Sequence, residues 1–210
     1  MKAEKKAENS RTLQARESKK RIIRGFFELS RERGTDNITV AELCSYLGIS
    51  VGQFYHHFKS KEELYYSVYY ILDDQLDEWS GRSQETDSKQ RLLQYTVWFA
   101  MHNESMGVDF VKKLFSGSNT NLSIKKKNMQ YIEKYCDEFR REYKLEEFYT
   151  LDELIRHLRV AYRGVIFDWA IHDGAYDVEE AMRAEISSVI DGILQTRPGK
   201  RLFYEGCSYI

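Results

Sequence analysis

Proline is almost absent from this chain of 210 residues, in which Pro198 is the single example. Proline interrupts helix interiors because it lacks a backbone N–H and clashes with the preceding turn. Its absence before position 198 therefore leaves almost the whole chain open to helix formation. Apolar residues also recur every three or four positions almost throughout, and this spacing predicts an all-α fold.

Cysteine is scarce as well, and the three thiols, at Cys44, Cys136 and Cys207, are widely separated. An odd, scattered set favours reduced thiols over a disulfide framework or a zinc site. No pair of the five histidines has the spacing of helical metal ligands, so we expect no metal and no cofactor. The chain also lacks an apolar run of 18 residues and a signal peptide, which predicts a cytoplasmic protein.

Sequence motifs of catalysis are missing too. The chain has no glycine-rich phosphate loop, no GxSxG and no cysteine with a neighbouring histidine motif, so we do not expect an enzyme.

Net charge is near zero overall, yet residues 1–64 hold 13 Lys and Arg against 9 Asp and Glu, whereas the remainder holds 19 against 24. A local basic region of this kind is enough for one module that contacts phosphates.

Three helix starts follow one another within residues 37–64. Each pairs a hydroxyl residue with a Glu or Gln three positions later, as in a capping box: Thr39 with Glu42, Ser50 with Gln53, and Ser60 with Glu63. A short helix from Val40 to Leu47 ends at Gly48, and a second helix from Val51 to Phe58 follows at once. Two short helices joined by a glycine turn predict a helix-turn-helix, whose second helix enters the DNA major groove.

Side chains of the second helix have the chemistry of groove recognition. Phe54 and Phe58 are predicted to face the core, whereas Gln53 can read adenine and Val51 can touch a thymine methyl group. Gly52 lets a phosphate or base edge approach the backbone, and Tyr55, His57 and Lys61 suit phosphates. The alternative is that Gln53 only completes a capping box and that Tyr55 is a half-buried core aromatic.

Residues 21–64, RIIRGFFELSRERGTDNITVAELCSYLGISVGQFYHHFKSKEEL, resemble the amino-terminal DNA-binding domain of the tetracycline-repressor (TetR) family. The shared order is an apolar first helix ending in Gly, a Thr-capped second helix, a recognition helix with a Tyr that closes on Phe, and Lys-Glu-Glu-Leu. Phe26 and Ser30 depart from the family pattern by exchanging bulk across one turn, which can conserve core volume. The resemblance implies DNA-binding roles for Thr39, Ser50, Val51, Gly52, Gln53, Tyr55, His56, His57 and Lys61.

The predicted organisation has four parts. Residues 1–17 are expected to be a flexible basic tail, 18–64 a three-helix DNA-binding domain, 65–195 an effector-binding and dimerisation bundle, and 196–210 a tail of unassigned role. The expected total is about nine helices, with one long helix from Lys61 to about Trp79 and further helices near 88–106, 108–116, 122–143, 151–172 and 178–195.

The last two helices carry broad apolar stripes. Stripes this broad favour pairing with a second copy in a four-helix bundle, and the alternative is packing wholly inside one chain. In the resembled family this helix pair forms the dimer interface. A homodimer with two recognition helices predicts a palindromic operator. The candidate interface residues are Leu154, Leu158, Ala161, Val165, Trp169, Met182, Ile186, Val189, Ile190 and Ile193.

The resemblance further implies a central cavity for a small effector that alters DNA binding. Aromatic and polarizable side chains suit a mostly apolar ligand, although ordinary core packing is the alternative for each of them. The candidates are Trp98, Phe99, Met101, His102, Phe110, Tyr131, Tyr135, Phe139 and Tyr162. The sequence thus favours a homodimeric, effector-responsive repressor. A DNA-binding protein regulated by a protein partner is the alternative.

Overall fold

The computed structural model describes residues 2–67, 69–116 and 126–196. Over these ranges the chain forms a short 3-10 helix at Thr35–Asn37 and ten α-helices, with no strand. They are α1 (Lys2–Arg33), α2 (Val40–Leu47), α3 (Val51–His57), α4 (Lys61–Tyr66), α5 (Tyr69–Arg82), α6 (Ser88–Met106), α7 (Val108–Ser116), α8 (Lys126–Glu142), α9 (Leu151–Ile171) and α10 (Val178–Gln195). The predicted all-α fold is confirmed.

Two compact units divide the chain, Met1–Asp77 and Glu78–Ile210. The division lies within α5, after the boundary that the sequence predicted at residue 64. We call the first the amino-terminal unit and the second the carboxyl-terminal unit. The predicted tail at 196–210 lies outside the described residues from position 197 onward, and so does Cys207.

Close packing of α1 on α2 shapes the amino-terminal unit. Gly25 lies where a Cβ atom would come 2.5 Å from the Cδ2 atom of Leu47, so a larger residue at position 25 would require the Leu47 side chain to move. The apolar faces of α1, α2 and α3 then meet in a core that includes Ile23, Leu43 and Phe54, each almost fully buried. Burial of these faces holds short helices that would be marginal in isolation.

The exchange of bulk between Phe26 and Ser30 is accommodated inside this core. The ring of Phe26 is buried edge-on against Tyr65, with centroids 5.1 Å apart. Ser30, one turn later, is also buried, and its hydroxyl donates to the Phe26 carbonyl at 2.7 Å. The hydroxyl is therefore satisfied and costs little in the apolar interior.

Helix α1 begins much earlier than the sequence analysis expected. Residues 2–17 continue α1, whereas we had predicted a flexible tail over 1–17. The segment is rich in Ala, Lys, Glu, Gln and Arg, which are strong helix formers, and it contains no proline. The lack of apolar residues in this segment predicted disorder. A segment of strong helix formers can nevertheless extend a packed helix, because such an extension does not need apolar residues at every turn.

The predicted long helix from Lys61 to Trp79 is also corrected, because α4 ends at Tyr66 and α5 begins at Tyr69. At Ser67 the backbone N–H donates to the carbonyl of Leu64, and the hydroxyl donates to the carbonyl of Glu63 at 2.8 Å. Such local bonds compete with the regular helical ladder. The break between α4 and α5 could not be predicted from the sequence, because apolar residues continue at helical spacing across it.

In the carboxyl-terminal unit α6 lies at the centre. Helix α10 packs on α6 and α9, α8 packs on α6 and α9, and α7 packs on α9. Tyr95, Tyr135 and Tyr162 are almost completely buried between these helices. The predicted bounds of α6, α7 and α10 agree with the structure, and α9 ends one residue earlier than expected.

A tight turn joins α9 to α10. Gly174 has φ of 69°, and an added Cβ atom there would come 2.7 Å from Val108 Cγ2. The indole N–H of Trp169 donates to the carbonyl of Tyr176 at 3.1 Å and fixes the chain leaving the turn. Within the described ranges, the length and apolar content that a membrane-crossing helix requires are not met by any helix.

Candidate DNA-binding surface

Hydrogen bonds at the end of α2 set the angle at which α3 leaves it. Gly48 has φ of 63° and ψ of 39°, a left-handed conformation that glycine adopts without strain. The N–H of Ile49 donates to the carbonyl of Cys44 at 3.0 Å, which closes the end of the helix. Only Gly48, Ile49 and Ser50 separate α2 from α3, so this is the predicted helix-turn-helix.

Two of the three predicted capping boxes are present in full. The Thr39 hydroxyl accepts from the N–H of Glu42, whose carboxylate accepts from the Thr39 N–H at 2.8 Å. The bonds that the Glu42 carboxylate accepts from the Thr39 N–H and from the Thr39 hydroxyl lower the pKa of Glu42. Ser50 and Gln53 make the same reciprocal pair, with the amide oxygen of Gln53 2.9 Å from the Ser50 nitrogen.

The third start is capped differently from the prediction. Ser60 still accepts from the N–H of Glu63 at 3.3 Å, but the Glu63 carboxylate accepts from the N–H of Lys59 at 2.7 Å. The reciprocal bond has therefore moved one residue toward the amino end. Both bonds still satisfy backbone donors at the approach to α4, so the start of the helix is unchanged.

Helix α3 buries one side chain and exposes most of the others. Phe54 is fully buried and lies 5.4 Å from the ring of Phe58, which is also buried, as predicted. Val51 is 45% exposed and Tyr55 is 54% exposed. The exposure of Tyr55 disagrees with the alternative of a half-buried core aromatic. Gly52, Gln53 and His56 are exposed too, so α3 presents a surface to an outside partner.

His57 lies at the carboxyl end of α3 and is half-buried. Burial, the neighbouring His56 and the charge of Lys19 lower the pKa of His57 below its usual value of 6.5. The imidazole is therefore mainly neutral at pH 7 and can donate a hydrogen bond without carrying a charge. This environment suits a contact with a phosphate oxygen.

Lys61 and Thr39 lie beside the same surface. The ammonium of Lys61 is 3.3 Å from the carbonyl oxygen of Asp36, which anchors the side chain at the start of α4. Thr39 is exposed at the start of α2, with its hydroxyl held by Glu42. The predicted DNA-binding residues thus belong to three neighbouring helix starts and to the open face of α3.

A crevice of about 440 Å³ runs between α1 and α3, and a second of about 340 Å³ adjoins it. The first is lined in part by Arg21, Gly52 and Gln53, and the second by Arg16 and Lys19, whereas His56 and His57 line both. Arg16 falls in the segment predicted to be a flexible tail, and no site was predicted for Lys19 or Arg21. Arg16 and Lys19 are three positions apart, which places them on one helix face, and this spacing was the signal available.

The aromatic candidates for effector binding lie in the carboxyl-terminal unit, where the structure brings several of them together. Trp98 stacks on His102 with ring centroids 5.6 Å apart, and Tyr131 lies 5.9 Å from Tyr135. Phe99 packs edge-on against Tyr162 at 5.0 Å. Phe110, Tyr135, Phe139 and Tyr162 are buried as core residues, and Met101 is 48% exposed.

His102 differs from its aromatic neighbours because its buried Nε2 atom has no hydrogen-bond partner among the described residues. Burial lowers the pKa of His102 to about 4, so the ring is neutral at pH 7. A buried polar atom of this kind is unusual in a protein core. The flat face of the ring is covered by Trp98, which leaves the edge nitrogen as the polar feature of the group.

Most residues of the expected dimer interface are packed inside one chain. Seven of its ten residues are buried within one chain, namely Leu154, Leu158, Trp169, Met182, Ile186, Ile190 and Ile193. They are buried because α10 lies against both α6 and α9, so the stripes pack on helices of the same chain. Ala161, Val165 and Val189 are only partly buried.

The remaining apolar surface of α9 lies on a different face. Val160 is 67% exposed, Phe167 46% and Ile171 52%, and Gly164 between them has open space beside it. Their spacing of four, three and four positions places them on one side of the helix. This outward face is the part of α9 that a second chain can cover.

Comparison with known proteins bears directly on the helix-turn-helix. Residues 22–68 match the family of bacterial regulatory proteins, tetR family. The uncharacterized HTH-type transcriptional regulator YerO of Bacillus subtilis (strain 168) is 47% identical over 57 residues, which are 26% of this chain and 20% of that protein. An HTH-type transcriptional regulator of Staphylococcus aureus (strain USA300) is 36% identical over 63 residues, 30% of this chain and 32% of that protein. The chain thus matches less than a third of the length of these relatives.

Solved structures resemble nearly the whole chain. The TetR family transcriptional regulator PfmR from Thermus thermophilus has a TM-score of 0.54 and 26% identity, covering 86% of this chain and 99% of that one. The transcriptional regulator FadR from Bacillus subtilis, solved in complex with stearoyl-CoA, has a TM-score of 0.63 and 18% identity, covering 83% and 97%. FadR from Thermus thermophilus, in complex with lauroyl-CoA, has a TM-score of 0.59 and 19% identity, covering 87% and 98%.

The amino-terminal unit therefore contains a helix-turn-helix DNA-binding domain, and the all-helical fold of the described residues resembles that of the transcriptional regulator PfmR. Residues 22–68 match the tetR family of bacterial regulatory proteins, which confirms the resemblance inferred for residues 21–64.

Proposed function

We propose that this protein is a homodimeric transcriptional repressor that binds a palindromic operator through α3 and leaves it when a mostly apolar effector binds. The observation that carries the proposal is the open face of α3, a helix that is capped by Ser50 and flanked by basic side chains of α1. A short helix presented in this way fits the major groove.

The symmetry of the operator is tested by selecting bound sequences from a random duplex pool with the full chain. Two inverted half-sites with their centres about 34–36 Å apart, or a multiple of that distance, are expected for a pair of recognition helices. Recovery of a single, asymmetric site would contradict the dimeric mode of binding. The same selection supplies the duplex for every later DNA measurement.

Dimerisation is proposed to use the outward face of α9 defined by Val160, Gly164, Phe167 and Ile171. An exposed apolar stripe of this kind is unusual on a monomer and is covered in a twofold assembly. Helix α10 also has small residues, of which Ser188 is exposed and Gly192 has open space beside it. Small side chains allow a second helix to approach closely.

The interface is tested by replacing Phe167 with Glu and measuring the mass of the chain by sedimentation equilibrium. A buried unpaired carboxylate is costly, so the variant is expected to dissociate into monomers that keep their helical content. Met101→Glu is the matched control, because Met101 is similarly exposed but lies on α6. A Phe167→Glu chain that stays dimeric would exclude this face as the interface.

The effector is proposed to bind beside the aromatic group formed by Trp79, Tyr95, Trp98 and Tyr135. Trp79 lies 6.0 to 6.4 Å from the other three rings, and both tryptophans are only half-buried. An aromatic wall with one polar atom, the Nε2 of His102, is typical of a site for a largely apolar ligand.

An acyl-CoA thioester is the first effector to test, since the two FadR proteins of similar fold were solved with stearoyl-CoA and lauroyl-CoA. Titration with lauroyl-CoA is expected to change tryptophan fluorescence and to release the operator, whereas coenzyme A alone is expected to do neither. Trp98→Phe should reduce the fluorescence change while leaving DNA binding intact. Retention of the operator at saturating acyl-CoA would reject this class of effector.

Regulation through a protein partner is the second candidate, and the exposed apolar face of α9 favours it. The sedimentation experiment shows whether this face is covered by a second copy of the chain or is available to a different protein. If the wild-type chain is monomeric, this face is available to a different protein. If Phe167→Glu converts a dimer to a monomer, the face is already occupied by a second copy.

A further inference from the structure

The two adjoining crevices between α1 and α3 extend beyond the part of the chain that matches the family. The match begins at residue 22, whereas the walls on the α1 side include Arg16 and Lys19. The rise along α1 from Ile22 to Arg16 is about 9 Å, which corresponds to two or three phosphates along one DNA strand. The crevices therefore lead from the predicted base-reading positions to residues that the family comparison does not assign.

Only basic and neutral side chains line these crevices among the residues that the structure describes. Two of the cations already have structural roles. The guanidinium of Arg21 donates to the Leu47 carbonyl at 2.5 Å and so closes the end of α2. The ammonium of Lys20 lies 3.0 Å from the carboxylate of Glu17 and is largely buried.

Arg16 and Lys19 lie on the α1 wall of the second crevice. Arg16 is exposed, and the ammonium of Lys19 lies 4.8 Å from the centre of the Phe58 ring, at the carboxyl end of α3. His56 and His57 form the wall opposite them. A crevice with cations on one side and imidazole groups on the other suits a phosphate oxygen, because both walls can donate hydrogen bonds to it.

We propose that this crevice binds backbone phosphates of the operator, so that α1 upstream of residue 22 is a second DNA-binding element beside α3. The inference rests on the proposed function, since it requires that α3 engage a duplex. Arg16 and Lys19 each neutralise a phosphate and release condensed counterions, which adds affinity without adding sequence preference. The interaction places α3 in register on the DNA.

The test measures binding of the full chain to labelled duplexes by fluorescence anisotropy over a series of salt concentrations. Arg16→Ala and Lys19→Ala are each expected to reduce the slope of log K against log[salt] by about 0.9, on the selected operator and on a random duplex alike. Lys19→Arg should restore the slope. Alanine favours the helix, and thermal unfolding checks that both variants remain folded.

Arg141→Ala is the matched control, since Arg141 is an exposed cation of α8 in the carboxyl-terminal unit. It removes one positive charge and is expected to leave the slope unchanged. If Arg141→Ala lowered the slope as much as Arg16→Ala does, the effect would reflect net charge and the crevice would lose its assignment.

Three further results would overturn the inference in distinguishable ways. Unchanged slopes for Arg16→Ala and Lys19→Ala, with a slope reduced by Lys61→Ala, would remove the crevice from the DNA interface and leave the proposed function intact. Calorimetric binding of inorganic phosphate that is lost in Arg16→Ala, without a change in DNA binding, would assign the crevice to a free anion. Failure of the wild-type chain to prefer the selected duplex over a random one would reject the proposed function itself.

Discussion

The amino-terminal and carboxyl-terminal units use their apolar and polar residues in different ways. In the first, α3 buries Phe54 and leaves Val51, Gln53 and Tyr55 on the surface. In the second, α9 and α10 each bury a broad apolar stripe inside the chain, as Leu158 and Ile186 illustrate. All three helices have side-chain N-caps, so the difference lies in burial. Helix α3 is anchored by Phe54 and leaves most of its other side chains available to a partner, whereas the apolar stripes of α9 and α10 are occupied within the chain.

The strongest test of this contrast is Leu158→Ala. Leu158 is fully buried, so the change removes buried methyl groups and leaves a cavity. We expect the free energy of unfolding, measured by urea denaturation, to fall by about 2–5 kcal/mol. Met101→Ala on α6 is the control, because Met101 is 48% exposed and its loss should cost less than about 0.5 kcal/mol. Equal costs would show that burial within one chain does not distinguish the two positions.

The buried imidazole of His102 provides the next test. Its folded pKa of about 4 lies below the usual 6.5, so the unfolded chain binds more protons between these pH values. Stability from this group is therefore complete above pH 6.5 and is lost as the pH falls toward 4, by up to about 3 kcal/mol. We expect His102→Phe to reduce the pH dependence of the unfolding free energy in this window. An unaltered dependence would show that His102 is not the buried titrating group.

On the side of the DNA-binding surface, Gln53→Ala should cost about 1–3 kcal/mol on the selected operator and relax preference at one position of each half-site. The measurement is competition binding with duplexes substituted at single positions. Gln53→Glu is the control, since a carboxylate can still accept from the Ser50 N–H but cannot donate to adenine. If Gln53→Glu kept the wild-type preference, Gln53 would be a capping residue alone.

The smallest expected effect is that of Lys61→Ala. Removing one phosphate contact should weaken binding to all duplexes alike and lower the salt slope by about one. The same anisotropy titrations provide the measurement. A slope equal to that of the wild type would restrict Lys61 to its contact with the Asp36 carbonyl.

Capped helices were the part of the fold that could be predicted most closely. The bounds of α2 follow from Thr39 at one end and Gly48 at the other, because both signals act on the backbone within a few residues. The start of α3 at Val51 follows from Ser50 in the same way. Local chemistry of this kind is fully contained in the sequence.

The partner of an apolar stripe could not be predicted, because periodicity shows which face of a helix is buried but not what covers it. Ile186 and Ile190 fit a dimer interface as well as they fit a contact inside the chain, and the structure shows the second. The crevice beside α3 was missed for a related reason. Arg16 and Lys19 have charges that solvent can accommodate anywhere, and only the path of α1 brings them to His57.

The capping bond between Gln53 and Ser50 has one further consequence for discrimination between DNA sequences. The free protein already uses the amide oxygen of Gln53, so a duplex that draws this side chain away from α3 to engage both of its polar atoms breaks the bond to the Ser50 N–H. A base that offers only one partner does not compensate for that displacement. The Ser50 N–H thus competes with DNA bases for the Gln53 side chain, and this competition weakens binding to duplexes that differ slightly from the operator.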